Sequence, residues 1–148
     1  DSGATSQKPQ QVIDRLNQFY CNENANVHRG IHFLSENATQ HYEDARVKLA
    51  DYLQVNSNEV VWTKGATESI NLIAHGLTHL VKDSDTIAIS ALEHHANIVP
   101  WQQVCETTGA HLLILPINEV GILDLPQAKI LLEKYRPKKF EDIKIKYI

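Results

Sequence analysis

Long apolar runs, basic blocks and closely spaced cysteines are all missing from this sequence, and each absence removes a class of function. No apolar stretch approaches the ~20 residues that a membrane-spanning helix needs, and nothing near the start resembles a signal peptide. The 14 basic and 18 acidic residues give a formal net charge of −4. They form no basic block of the kind that marks a phosphate-backbone binder, so nucleic acid is not an expected partner. Cys21 and Cys105 lie far apart without CxxC spacing and suggest no disulfide framework, so a reducing, cytoplasmic setting is the simpler expectation. There is no internal repeat, low-complexity tract or convincing interdomain linker. "NAT" at Asn37 to Thr39 fits a glycosylation acceptor, but without a secretory signal it reads as a chance match.

At 148 residues the chain has the length of one domain, and a compact chain of that size buries roughly 68–70% of its unfolded surface. The ends are unusual. The chain opens on "DSGATSQKP" without methionine and closes on "FEDIKIKYI", where Ile143, Ile145 and Tyr147 alternate with Lys144 and Lys146 as in a half-buried strand. A terminus inside a strand pattern suggests part of a longer protein.

Behind Pro9, Val12, Ile13, Leu16, Phe19 and Tyr20 recur at helical spacing, and the proline suits a first turn. "VHRGIHFLS" is less regular and reads as a loop around Gly30. From Glu36 to Gln54 a second amphipathic helix places Tyr42, Ala45, Leu49, Tyr52 and Leu53 along one stripe. The pattern then alternates: "EVVWTK" as strand, "ATESINLIAHGLTHLV" as helix, "TIAIS" as strand, "HANIVPWQQVCETTG" as helix, "HLLILP" as strand and "LPQAKILLEKY" as helix. Short apolar strands separated by longer helices indicate crossover units around a largely parallel sheet, so the fold class is α/β.

Ligands of such sheets bind at the carboxyl ends of the strands, where the following helices point their amino-termini. Two candidate sites fall there. In "TKGATES", Gly65 permits a tight turn while Ala66, Thr67 and Glu68 open the next helix, so free amides and the Thr67 hydroxyl would face an anion such as a phosphate. Simple helix capping by Gly65 or Thr67 is the competing reading, and the stretch is not a Walker loop, which needs Lys-Ser/Thr after its last glycine. In "SALEHHANIVPW", His94 and His95 sit between strand and helix, and a flat ring at His94 suits stacking on a planar cofactor. A backbone-bonded histidine or a metal pair are the alternatives, although adjacent helical residues diverge and disfavour shared ligation. "HRGIH" spaces His28 and His32 four apart, but Gly30 disfavours a helix there and no HExxH pattern exists. His41, His75, His79 and His111 read as surface or packing residues.

"VHRGIHFLS", "VVWTKGATESINLIAHGL" and "EHHANIVPWQQVCETTGAHLLILPIN", in this order and spacing, resemble the amino-terminal part of the SUF-type cysteine desulfurases. These belong to the aminotransferase class V branch of the pyridoxal-phosphate fold type I enzymes, and the resemblance runs from Asp1 to about Tyr135. It implies that Gly65, Ala66 and Thr67 bind the cofactor phosphate, the Ala66 position through its backbone amide and the Thr67 position through its side chain. Many SUF-type relatives carry Thr at the Ala66 position. The resemblance also makes His94 the histidine that stacks on the ring, with His95 supporting its loop. His28 and Arg29 match a segment near the substrate entrance and the dimer interface, so they take a substrate-side role. Asp1, Ser2 and Ala4 resemble an early "DSAA" segment near the active site, with Gly3 departing from it.

The family's Asn-bearing loop, the Asp that pairs with the pyridine nitrogen, the Schiff-base lysine and the nucleophilic cysteine find no match here, and neither Cys21 nor Cys105 sits at the persulfide-forming position. The resemblance therefore implies the front portion of an enzyme that uses pyridoxal 5'-phosphate to convert L-cysteine to L-alanine, leaving an enzyme persulfide for iron–sulfur cluster assembly. A sulfur-acceptor protein and a second copy of the chain would be its partners. The expected organisation is a helical lead-in over 1–56, an alternating cofactor-binding part over 57–136 and a truncated strand over 137–148. A selenocysteine lyase or other enzyme of the branch, or a shortened noncatalytic module, are the competing readings.

Overall fold

The computed structural model of the chain describes residues 5–135, so the strand expected over 137–148 and the Asp1, Ser2 and Ala4 segment lie outside the described residues. Two units divide between Trp62 and Thr63.

In the first unit, α1 (Gln10–Gln18) starts behind Pro9, whose fixed backbone suits a helix start. The helical spacing that runs through Phe19 and Tyr20 instead passes into a π-turn at Phe19–Glu23. There the Glu23 carboxylate accepts from Arg15 Nη2 at 2.8 Å and from Gln18 Nε2 at 2.7 Å. The second helix, α2 (Phe33–Leu53), begins three residues earlier than its apolar stripe indicates, because the His32 ring accepts from Ser35 N and serves as the N-cap. It ends where Gln54 turns left-handed at φ 57° and donates its N–H to the Ala50 and Asp51 carbonyls.

Small residues, Ser35, Ala38 and Ala50, form the buried face of α2. Ser35 is fully enclosed: its hydroxyl donates to the Asn26 carbonyl and accepts from Gly30 N at 2.9 Å. The preceding loop is thereby fastened to the helix.

The strand expected over "EVVWTK" is absent among the described residues. Asn56 and Glu59 close a capping box around a 3-10 turn at Ser57–Glu59, which takes up the start of the segment. Val60 beyond it is extended and buried. No described strand pairs with it, and an unpaired extended run makes no ladder.

The second unit has the expected α/β order: α3 (Ala66–Leu77), β1 (Thr86–Ser90), α4 (Val99–Thr108), β2 (His111–Leu115) and α5 (Leu125–Lys134). β1 and β2 pair in parallel from Thr86↔His111 to Ser90↔Leu115, with α4 as the crossover. Ile89 and Leu113 are buried, and burying each stabilises the unit by about 1.5–3 kcal/mol. Ala74 of α3, Pro100, Val104 and Cys105 of α4 and Ala128 of α5 are the buried helix residues; α4 and α5 pack on β2, and α3 packs on α4.

Gly109 ends α4 in the left-handed region at φ 80° and donates its N–H to the Cys105 carbonyl at 2.8 Å. A Cβ there would come within 3.3 Å of Asp83 Cβ. Gly109→Ala is expected to cost about 1–2 kcal/mol, read as a lower urea midpoint at unchanged m-value.

Candidate functional site

Thr63 and Ser69 shape the entry to α3. Their hydroxyls pair at 2.6 Å, and each also reaches the Gly65 carbonyl at 3.3 Å. Glu68 folds back to accept the Lys64 N–H, so its carboxylate is engaged on the loop. The first three helical N–H groups, at Ala66, Thr67 and Glu68, donate to no described residue, as a helix start requires when nothing caps it.

Gly65 is the N-cap, without a side chain to accept a bond, and the exposed Thr67 hydroxyl has no partner among the described residues. Helix capping by Thr67 is therefore not what this structure has. Gly65 is extended, at φ 160°, and a Cβ added to it would meet nothing within 4 Å. The chain bends at Lys64 and Gly65, and open space lies beside the glycine. Three free amides, one free hydroxyl and that space suit an anion with several acceptor oxygens, aided by the positive end of the α3 dipole.

α3 leads through a short connection into the start of β1, so its amino-terminus points back toward the carboxyl end of the strand. His94 lies four residues past Ser90 at that end, and the 3-10 turn His95–Asn97 packs against α3. The start of α3 and the His94 segment thus lie toward one edge of the sheet.

His94 Nδ1 accepts from Ala96 N at 3.2 Å, so the neutral ring carries its proton on Nε2. The ring is exposed and stands edge-on to His95, with centroids 6.1 Å apart. The adjacent carboxylate is more heavily engaged. Glu93 Oε2 accepts from Asn97 Nδ2 at 2.8 Å and Oε1 from Ser90 Oγ at 3.0 Å, while Asn97 Oδ1 accepts from Trp101 Nε1 at 2.8 Å.

These bonds, Asn97 first and Ser90 second, hold the Glu93 carboxyl below its ordinary pKa against a small opposing effect of burial. A lowered carboxylate pKa stabilises the fold above the unfolded value and loses that contribution as pH falls through the folded one. The carboxylate is therefore ionised at neutral pH, and the stabilisation its bonds give to the charged form is lost only as pH falls through the lowered value. Sequence reading missed this carboxylate, because Glu93 lies in the loop before the 3-10 turn, where no helical period marks it.

His28 and Arg29 belong to the first unit. His28 is held left-handed at φ 59°, with its N–H on Thr39 Oγ1 at 3.0 Å and Nε2 against Glu43 Oε1 at 2.9 Å. Tyr42 meets the ring edge-on, and Arg46 lies over the Tyr42 ring at 5.2 Å. Arg29 is exposed and has no ion pair or hydrogen bond among the described residues, which leaves its guanidinium free for an anionic ligand.

Cys21 is exposed, whereas Cys105 is buried and its thiol pKa is raised by desolvation, so Cys105 is a poor nucleophile. Among the described residues no group of three or more His, Cys, Asp or Glu could hold a metal ion, and no helix is long and apolar enough to cross a membrane. A groove of about 510 Å³ between α3 and α4 is lined by Asn71, His75, Gln103 and Glu106 among others, and includes none of the residues at the sheet edge.

The sequence matches the family model "Aminotransferase class-V" over residues 1–137. It is 48% identical over 135 residues to a cysteine desulfurase of Enterobacter sp. (strain 638), covering 90% of this chain and 33% of that protein. It is 46% identical over 134 residues to a cysteine desulfurase of Synechococcus elongatus, covering 89% and 21%. The apo structure of the cysteine desulfurase from Thermococcus onnurineus NA1 superposes with a TM-score of 0.81 at 39% identity, covering 88% of this chain and 32% of that one. The chain thus spans about a third or less of the length of these relatives.

Proposed function

The chain belongs to the aminotransferase class-V family, and on that premise we propose that it forms the amino-terminal, cofactor-holding part of a SUF-type cysteine desulfurase. The observation that carries this reading is the uncapped start of α3, with its free amides and unpaired Thr67 hydroxyl, at the sheet edge that also bears His94. Those groups fit pyridoxal 5'-phosphate: Gly65, Ala66 and Thr67 would take the phosphate, and the exposed His94 ring would lie on the pyridine. Bound there, the cofactor supplies an electron sink for chemistry at the amino acid.

The residues of this chain have positioning and proton-holding roles. Thr67 and the amides fix the phosphate by charge-assisted bonds. His94 holds a proton on Nε2, because Nδ1 is committed to Ala96 N. Arg29, with His28 beside it, serves the substrate side, where a free guanidinium suits an amino-acid carboxylate.

The reaction is L-cysteine plus an enzyme thiol giving L-alanine plus an enzyme persulfide. That thiol is assigned to neither Cys21 nor Cys105. The persulfide sulfur would pass to an acceptor protein for iron–sulfur cluster assembly in the cytoplasm, and the enzyme would work as a homodimer. The helical lead-in over 1–56 and the cofactor part over 57–136 remain the proposed organisation.

The test is to supply the natural gene product, loaded with pyridoxal phosphate, with L-cysteine or L-selenocysteine and a reductant. Alanine and sulfide from cysteine support the desulfurase, whereas turnover of selenocysteine alone makes the protein a selenocysteine lyase. Cofactor uptake without alanine from either substrate points to a noncatalytic module. A polypeptide of these 148 residues alone is expected to release no alanine.

A further inference from the structure

Glu93 is the residue beside His94 whose bonding nothing in the phosphate or ring assignments uses. Its carboxylate spans the His94 segment, taking Ser90 Oγ at the end of β1 on one oxygen and Asn97 Nδ2 beyond His94 on the other. Asn97 passes the connection to α4 through its bond from Trp101 Nε1. The backbone repeats the same closure: Asn97 N–H donates to the His94 carbonyl at 2.8 Å and Ile98 N–H to that of His95 at 3.1 Å.

These five attachments fasten the loop on both sides of His94, while the His94 ring itself makes a single hydrogen bond among the described residues, from Ala96 N–H. An exposed ring with one tether keeps its direction only if the backbone beneath it is fixed. A carboxylate can accept from Ser90 and Asn97 together, one on each oxygen, which a hydroxyl could not do without turning.

We infer that Glu93 is the positioning residue for His94, its carboxylate bridging Ser90 and Asn97 so that the imidazole face is presented at a fixed tilt to the cofactor ring. This deepens the proposed function and rests on it. Glu93 does not touch the cofactor; it acts through the histidine.

Two readouts test this in the natural gene product. The Trp101 indole N–H, followed by NMR without cofactor, reports the Asn97 bond. Absorption titration with pyridoxal phosphate reports the ring site. Glu93→Ala is expected to move the indole resonance and speed its exchange with water. It is also expected to weaken pyridoxal-phosphate binding by roughly ten- to a hundredfold, the range found for partners that orient metal-binding histidines, and to shift the bound-cofactor absorption.

Glu93→Gln keeps a carbonyl oxygen that can accept from Asn97, so it should restore the indole signal and most of the affinity. If Glu93→Ala moves the indole signal but leaves affinity and absorption at wild-type values, the bridge is merely structural and the inference fails. An unchanged indole signal in Glu93→Ala overturns it as well. If Glu93→Ala is unfolded, Glu93→Gln decides: wild-type indole exchange and affinity support the bridge, and loss of either overturns it. A wild-type protein that takes up no pyridoxal phosphate overturns the functional reading, and this inference with it, and is recognised because the indole signal is read without cofactor.

Discussion

Thr67→Val weakens binding of pyridoxal phosphate by about ten- to a hundredfold while leaving the thermal midpoint of the protein where it was. The size follows from losing one hydrogen bond to a charged group, worth about 1.5–3 kcal/mol, at about 1.4 kcal/mol per decade of affinity. The unchanged midpoint follows from the structure, since the Thr67 hydroxyl has no partner within the described chain and valine keeps the branched shape. Absorption titration of the purified variant makes the comparison. An affinity equal to wild type would place the phosphate elsewhere.

The second large effect is on stability. Gly30→Ala is expected to destabilise the first unit by about 2–4 kcal/mol, combining overpacking with strained buried hydrogen bonds. An alanine Cβ would stand 2.5 Å from Ser35 Cβ and 2.6 Å from its Oγ. Ser35 cannot give way. It is 0% exposed, and its hydroxyl is bound on one side by the Asn26 carbonyl and on the other by Gly30 N itself. Chemical denaturation followed by far-ultraviolet circular dichroism measures the loss. The double variant with Ser35→Gly should cost less than the sum of the two single changes, because the two sites share one contact.

Residues with a clear period were legible before any coordinates. The alternation of "TIAIS", "HANIVPWQQVCETTG" and "HLLILP" pointed to the parallel pair and its crossover, since short apolar runs and longer helical patterns obey different repeats, although His95–Asn97 forms a 3-10 turn and α4 starts only at Val99. Boundaries set by unusual caps were not legible. His32 is outside the usual set of N-cap residues, so the stripe from Glu36 hid the first turn of α2. "EVVWTK" has a strand's composition, yet a ladder depends on a partner that composition cannot supply.

At the candidate site, a rule about helix starts is enough to propose Gly65, Ala66 and Thr67 as anion-facing from their order along the chain. What the order concealed was which groups were already spent. Thr63 and Ser69 take each other, Glu68 takes the Lys64 amide, and only then is Thr67 left free. The left-handed backbone at His28 was equally hidden, because nothing in "VHRGIH" marks a non-glycine residue for positive φ.

The register of the parallel ladder bears on how the chain is made. Each residue of β1 waits for a partner 25 positions later, Thr86 for His111 and Ser90 for Leu115, so no ladder bond can close until α4 and β2 have been synthesised. Synthesis runs from the amino-terminus, and contacts of long sequence separation form late. The first unit closes largely through shorter loops, such as Gly30 onto Ser35 and His28 onto Glu43. On the ribosome the lead-in helices can thus settle while the strand that leads to His94 is still an unpaired edge, and a pause in translation between Ser90 and His111 would prolong that exposure.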